Sequence, residues 1–412
     1  MDYRATILLY LELLLALAIL WRAGLFKTAE QRTVVLIMVP LAFVLRYCCL
    51  TYETLDYQDW IRVWIQSLRD AGPWQGLGQE IWSCNYNVPY LYFLALFAKS
   101  GIYDLLLVKL LSILFDVLMA WAVMKLVEVF TQSPARRLTA FLGVLWLPTV
   151  YLNGALWGQC DVIYAFFAVL SVYLALTDRP GWSVAAIAVS VSFKLQGIFL
   201  LPFWMVLLIA KRVKLWQLFI FPLTYAATIL PAVFAGRNFM ELITLYFRNT
   251  GSIGDGLNYN SSSVYALLNF NALPPQAGER IGIVLAFFLC ISVFVGMLLR
   301  KEDIDNRVLL GVAVLFALGV PYLLPHMHDR YFFIADILTF ALAVVSPKMG
   351  LVPVCVSFGS LLGYHAYLKM RYLMPMRYGA IAMLIALVIT AGYVIFSLDR
   401  EKRVLTNGEN LI

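Results

Sequence analysis

Apolar residues recur along this chain in long runs separated by short polar stretches, at about 5–21, 33–50, 105–130, 138–154, 161–177, 182–210, 214–235, 280–299, 307–323, 331–346, 350–368 and 379–397. Most approach the ~20 residues that carry an α-helix across the hydrocarbon of a bilayer. The run 182–210 exceeds one ordinary span and contains Pro202, so it reads as two short crossings. The pattern predicts an all-α polytopic transmembrane bundle of about 13 crossings.

Loops rich in Lys and Arg belong on the cytoplasmic side. Arg22/Lys27/Arg32, Arg136/Arg137, Lys211/Arg212/Lys214, Arg300/Lys301/Arg307 and Arg400/Lys402/Arg403 mark that side and make the C-terminus cytoplasmic. They share one face only if the apolar segment 89–98 lies in the outer interface, which Tyr90, Tyr92 and Phe93 favour. Residues 51–104, 155–160, 236–279, 324–330 and 369–378 then face outward. Lys369, Arg371 and Arg377 break the rule: either the count slips by one near the C-terminus, or these bases have an anionic client.

The first outer segment, 51–104, has Trp60, Ile61, Trp64, Ile65 and Leu68 at helical spacing, the mark of an amphipathic helix lying on the membrane. Gly72-Pro73 ends it, and a second short element follows around Trp74–Trp82. The second long outer loop, 236–279, holds Asn258-Tyr259-Asn260-Ser261-Ser262-Ser263 and is long and polar enough for a mobile flap. No internal repeat or soluble domain interrupts the chain, so 1–412 reads as a single integral membrane domain.

Composition sharpens this picture. Of 412 residues 62% are hydrophobic and 13% charged, about half the charge of a soluble protein, and mean hydropathy is +0.82. The net charge of +7 is scattered singly among apolar helices, so no basic stripe suits nucleic acid. It fits anionic lipid and lipid phosphate. Six cysteines show no metal-type spacing, and a Cys84–Cys160 disulfide is conceivable because both fall near helix ends.

A few polar residues stand where apolar ones are expected. Asp56 precedes the amphipathic helix, where a carboxylate can cap it or act as a general base at the water–lipid boundary. Asp59 lies on nearly the same face, as a second carboxylate or a solvated helix residue. His326, His328, Asp329 and Arg330 follow Pro325 at a helix end; Arg330 suits phosphate and a histidine adds charge or a hydrogen bond. His-x-His without a third or fourth ligand is a poor metal site.

Lys109 and Asp116 share one face of a helix, and an Asp116–Lys194 ion pair is the default for buried intramembrane charges. Lys194 could instead reach a lipid phosphate. Asp161 in Trp157-Gly158-Gln159-Cys160-Asp161 is a cap or a sugar contact. Glu12 and Arg46 read as structural or have no explanation in the sequence.

In these segments the chain resembles the GT-C superfamily of polytopic glycosyltransferases, which use a polyprenyl-phosphate-linked sugar. It looks closest to bacterial relatives of GPI-anchor mannosyltransferases and to dolichyl-phosphate-glucose glucosyltransferases. Leu55-Asp56-Tyr57 through Trp64 resembles a Gly-Asp-Tyr pattern followed by Trp eight residues after the Asp. Asn85-Tyr86-Asn87-Val88-Pro89-Tyr90 resembles an Asn/Asp-Tyr-Pro-Pro-type segment. Trp157–Asp161, Phe193-Lys194-Leu195-Gln196 and His326–Arg330 follow in the family's order, over about residues 50–335. Leu55 replaces the usual Gly, Val88 the first Pro, and an extra helix at 5–21 precedes the usual first one.

The resemblance implies a GT-C-like bundle and an inverting, metal-independent glycosyl transfer without cofactor. Asp56 would be the base, and His328, Arg330, His326 and Lys194 would hold the donor phosphate. Asp59, Asp161, Gln159, Asn85, Tyr86 and Asp329 would contact acceptor or sugar. The expected partners are a polyprenyl-phosphate sugar, an extracytoplasmic glycan or glycolipid acceptor, and membrane lipid. The site would face outward from a cytoplasmic membrane. The competing class is a lipid-linked sugar flippase or small-molecule transporter. Such proteins tend to show two related halves with a midplane site, whereas the candidates here gather at one face.

Overall fold

The computed structural model describes residues 2–249, 256–267, 274–300 and 304–408, and it is 79% helical, so the all-α expectation holds. Nine helices among the described residues are long and apolar enough to cross a membrane. This is a multi-pass membrane protein by the length and composition of its helices.

The chain forms two compact units. The first comprises Met1–Leu170, Ala185–Gly197 and Phe221–Ser252. It opens with α1 (Tyr3–Arg22), capped by Asp2, whose side chain accepts from Arg4 N at 2.9 Å. In α2 (Ala29–Cys49) Thr28 and Gln31 form a capping box. A π-helical turn, Tyr57–Ile61, runs into α3 (Arg62–Ala71), which buries Trp64, Ile65 and Leu68. Gly72 ends α3 at φ 82°, a conformation glycine tolerates, and Pro73 begins the short α4 (Pro73–Leu77).

Next come α5 (Val88–Ser100), capped by Asn87, then α6 (Asp104–Glu128), α7 (Pro134–Trp146) and α8 (Pro148–Tyr151). A second π turn, Leu152–Trp157, leads to α9 (Asp161–Leu176) and α10 (Pro180–Phe193). The run 182–210 breaks as its length demands: α10 stops at Lys194, a 3-10 turn covers Leu195–Leu200, and Pro202 starts α11 (Pro202–Ile209). α12 (Ile220–Phe234) and α13 (Phe239–Asn249) follow.

The second unit comprises Ser171–Val184, Ile198–Ile220 and Ile253–Ile412. A two-residue strand β1 (Asn258–Tyr259) and the short α14 (Val264–Leu267) precede α15 (Pro275–Leu299) and α16 (Asn306–Leu323). Strand β2 (Met327–His328) pairs in parallel with β1. The chain continues as α17 (Phe333–Val345), α18 (Leu351–Leu368) and α19 (Arg377–Gly408).

Each unit has one helix buried on nearly every side: α6 in the first, α16 in the second. Outer helices leave broad apolar faces uncovered, such as Leu36, Ile37 and Val44 on α2 and Val284, Phe287 and Phe288 on α15. Apolar area on this scale is tolerated next to lipid and not next to water.

One sequence expectation changes. Asp116 pairs not with Lys194 but with Arg46, whose Nε and Nη2 both lie 2.9 Å from Oδ2. Both side chains are fully buried, and α2 brings Arg46 to the depth of Asp116 while Lys194 sits at a helix break near a closer acid. No disulfide joins Cys84, which is half-buried, to Cys160, which is buried.

Candidate functional site

In the first unit the end of α2, the start of α6, the π turn before α9 and the end of α10 converge on Asp56. Asp56 occupies the N-terminal position of the helix over 57–71 but makes no side-chain capping bond, which corrects the cap reading. Its Oδ2 instead accepts hydrogen bonds from Trp157 Nε1 at 2.7 Å and from Gln159 Nε2. The turn after Trp157 needs Gly158 at φ 82°, and a Cβ there would also touch Lys109.

One face of α6 fastens this arrangement. Lys109 Nζ donates to the carbonyls of Cys49 at 2.7 Å and Tyr52 at 2.6 Å, tying down the end of α2 and the segment leading to Asp56. One turn on, Ser112 Oγ donates to Gln159 O at 2.7 Å. A further turn on, Asp116 holds Arg46. Thr54 Oγ1 closes the frame by donating to Trp157 O at 2.8 Å.

Gln159 links Asp56 to a second group of polar residues. Tyr86 OH lies 3.4 Å from Gln159 Oε1, and the Tyr86 ring packs on Trp64 with centroids 5.3 Å apart. Lys194 Nζ stands 4.8 Å from the centre of the Tyr86 ring and 5.9 Å from that of Tyr164, and it is ion-paired with Asp161 Oδ1. Asn153 Nδ2 donates to Asp161 Oδ2 at 2.8 Å. Five expected site residues, Asp56, Gln159, Asp161, Tyr86 and Lys194, thus form one connected cluster. Asp59 and Asn85 are exposed, on the surface of the same unit.

The second unit holds the histidine segment. His326 adopts φ 59°, its N donates to Leu257 O at 2.8 Å, and its Nδ1 lies 2.8 Å from Gly256 O. The His328 ring stacks on Tyr259, centroids 4.7 Å apart and planes 13° from parallel, and also meets Tyr331 at 5.1 Å. Asp329 is buried and lies 3.4 Å from Arg330 Nε.

The described part of the expected flap is pinned, not loose. Asn258 and Ser261 exchange two hydrogen bonds of 3.0 Å, and Ser262 Oγ donates to Gly359 O at 2.7 Å. Residues 250–255 and 268–273 of that loop lie outside the described residues.

Sequence reasoning passed over Trp157 as a hydrogen-bond donor, and over Ser112, Asn153 and Tyr259. Ser112 had a readable signal, since Lys109, Ser112 and Asp116 follow i, i+3, i+7 spacing on a single helix face. Tyr259 had none; only the β1–β2 pairing brings it to His328.

No family model and no curated protein matches this chain.

Proposed function

We propose that this protein is an inverting, GT-C-type glycosyltransferase. It would move a sugar from a polyprenyl-phosphate donor to a hydroxyl of an extracytoplasmic glycan or glycolipid. The observation that carries the reading is the Asp56 carboxylate, held by the side-chain N–H groups of Trp157 and Gln159 where a helix cap was the simpler expectation. A carboxylate oriented by side-chain donors holds a fixed direction, as a general base requires.

In the proposed reaction the acceptor oxygen attacks the anomeric carbon from the face opposite the phosphate. Asp56 takes the hydroxyl proton as the new C–O bond forms. The bond from that carbon to the phosphate oxygen breaks, and the phosphate leaves with the electron pair. One base suffices for direct inversion. The sequence resemblance alone assigns Arg330 and His328 to the donor phosphate, with His326 and Asp329 fixing their own segment. Lys194, nearly enclosed and paired with Asp161, we assign to positioning Tyr86 and Gln159.

The same reading counts Asp161–Leu176, Pro180–Phe193, Leu195–Ile209 and Phe333–Val345 as further crossings beside the nine long helices, about 13 in all, with Val88–Ser100 in the interface. The membrane would be a cytoplasmic one and the Asp56 end outward.

The test is a purified, detergent-solubilised protein incubated with a panel of polyprenyl-phosphate sugars and a glycan acceptor. The wild type should consume one donor, and Asp56→Asn should fold yet transfer nothing. Near-wild-type turnover in Asp56→Asn removes Asp56 from the role. Because detergent has no compartments, product formation also separates an enzyme from a flippase.

A further inference from the structure

The turn between α18 and α19 carries Lys369, Arg371 and Arg377, all exposed, and no acidic residue lies between 369 and 378. Contacts place this turn within the second unit. Tyr372 OH donates to Asn260 Oδ1 at 2.6 Å, Asn260 bridges to His328, and Gly363 packs on Asp329. The turn therefore lies at the same end of the second unit as His326–Arg330.

The opposite end already has the basic residues that orient a membrane protein. Arg212 pairs with Asp178, and Asn306 at the start of α16 donates to Leu176 O. Arg179, Lys211, Lys214 and Arg307 belong to that end. Topology thus accounts for one basic end, and the trio at 369–377 needs another cause.

The turn is also built. His365 Nδ1 lies 3.2 Å from Arg371 O, Met370 adopts φ 51°, and Tyr378 N donates to Pro375 O at 3.1 Å. It walls a cleft of about 700 Å³ whose polar lining is Asn258, Asn260, Tyr372 and Arg377 and whose apolar lining is the stretch 373–376. That volume is in the range of small-ligand sites and too small for a folded partner. Tyr372 and Leu373 are 60% and 65% exposed beside the cations. Cationic groups next to an open apolar stretch match an anionic head on a hydrocarbon tail.

We propose that this cleft binds the phosphate of an anionic membrane lipid, with Arg371, Arg377 and Lys369 around the headgroup and Leu373 and Met374 against the first carbons of its tail. The inference stands apart from glycosyl transfer and survives its failure. The source of the phosphate is either a resident phospholipid or a lipid-phosphate substrate.

The experiment reconstitutes the full chain in phosphatidylcholine nanodiscs containing a minor share of phosphatidylglycerol and measures retained lipid by native mass spectrometry. Wild type should retain phosphatidylglycerol over phosphatidylcholine. Lys369→Gln/Arg371→Gln/Arg377→Gln should lower that preference by roughly a hundredfold, at about one kcal/mol per cation. Thermal unfolding shows whether the triple variant folds, and Arg371→Gln alone, expected to lose roughly fivefold, serves if it does not. Added farnesyl phosphate that displaces phosphatidylglycerol identifies a lipid-phosphate substrate as the source; farnesyl phosphate that does not identifies a resident phospholipid. Equal retention of both phospholipids by the wild type, or undiminished preference in a folded variant, overturns the proposal.

Discussion

At the residue scale, the Trp157 indole is the cleanest probe of what orients Asp56. Trp157→Phe keeps the buried ring and removes one N–H donor to a carboxylate, an interaction worth about 1.5–3 kcal/mol. Under the proposed mechanism kcat should fall roughly ten- to hundredfold with KM nearly constant. A rise in KM alone would show that the indole serves substrate binding instead. Cys84 offers a test independent of function. Burial pushes its thiol up to about 12, and its Sγ faces Tyr86 O at 3.7 Å. The thiolate needed for alkylation is then scarce at pH 8, and peptide mapping should find Cys84 modified far more slowly than a free cysteine under the same conditions. The sequence named Asp56 but not its donors, because Trp157 lies about a hundred residues away and only the folded turn at Gly158 aims it back.

At the element scale, buried charges tie α2 to α6. Removing one member of the Arg46–Asp116 pair strands the other in an apolar interior, at a cost of about 3–5 kcal/mol. Arg46→Ala should lower the unfolding temperature sharply, and Arg46→Met/Asp116→Leu should recover most of the loss. A double variant as unstable as the single would mean that packing, not the unpaired charge, carries the penalty. The shared face of Lys109 and Asp116 was legible from spacing, while the partner was not. Periodicity gives the direction of a side chain from its own axis but not which neighbouring helix stands there. The break at Lys194 was readable for the opposite reason: a run too long for one span and a proline within it are local properties.

At the scale of the whole molecule, the apolar runs foretold the class of protein and most of its long helices, because hydrocarbon imposes a length and forbids open backbone. The pairing of β1 with β2 escaped, since two residues make no pattern. Orientation can be tested on cells. If the basic end of the second unit is cytoplasmic, an impermeant maleimide should label Arg371→Cys on intact cells and Arg212→Cys only after permeabilisation, each compared with the unlabelled parent. The reverse result would invert the topology of the second unit.

The polar face of α6 has a last implication. Three anchors one turn apart work only while they stay in phase, and each added residue swings everything beyond it by about 100° around the axis. A single alanine inserted after Ile113 should turn Asp116 away from Arg46 while Lys109 keeps its carbonyls, so the protein should lose its fold or its Asp56 frame. The same alanine placed in the loop after Glu128 should be absorbed without effect.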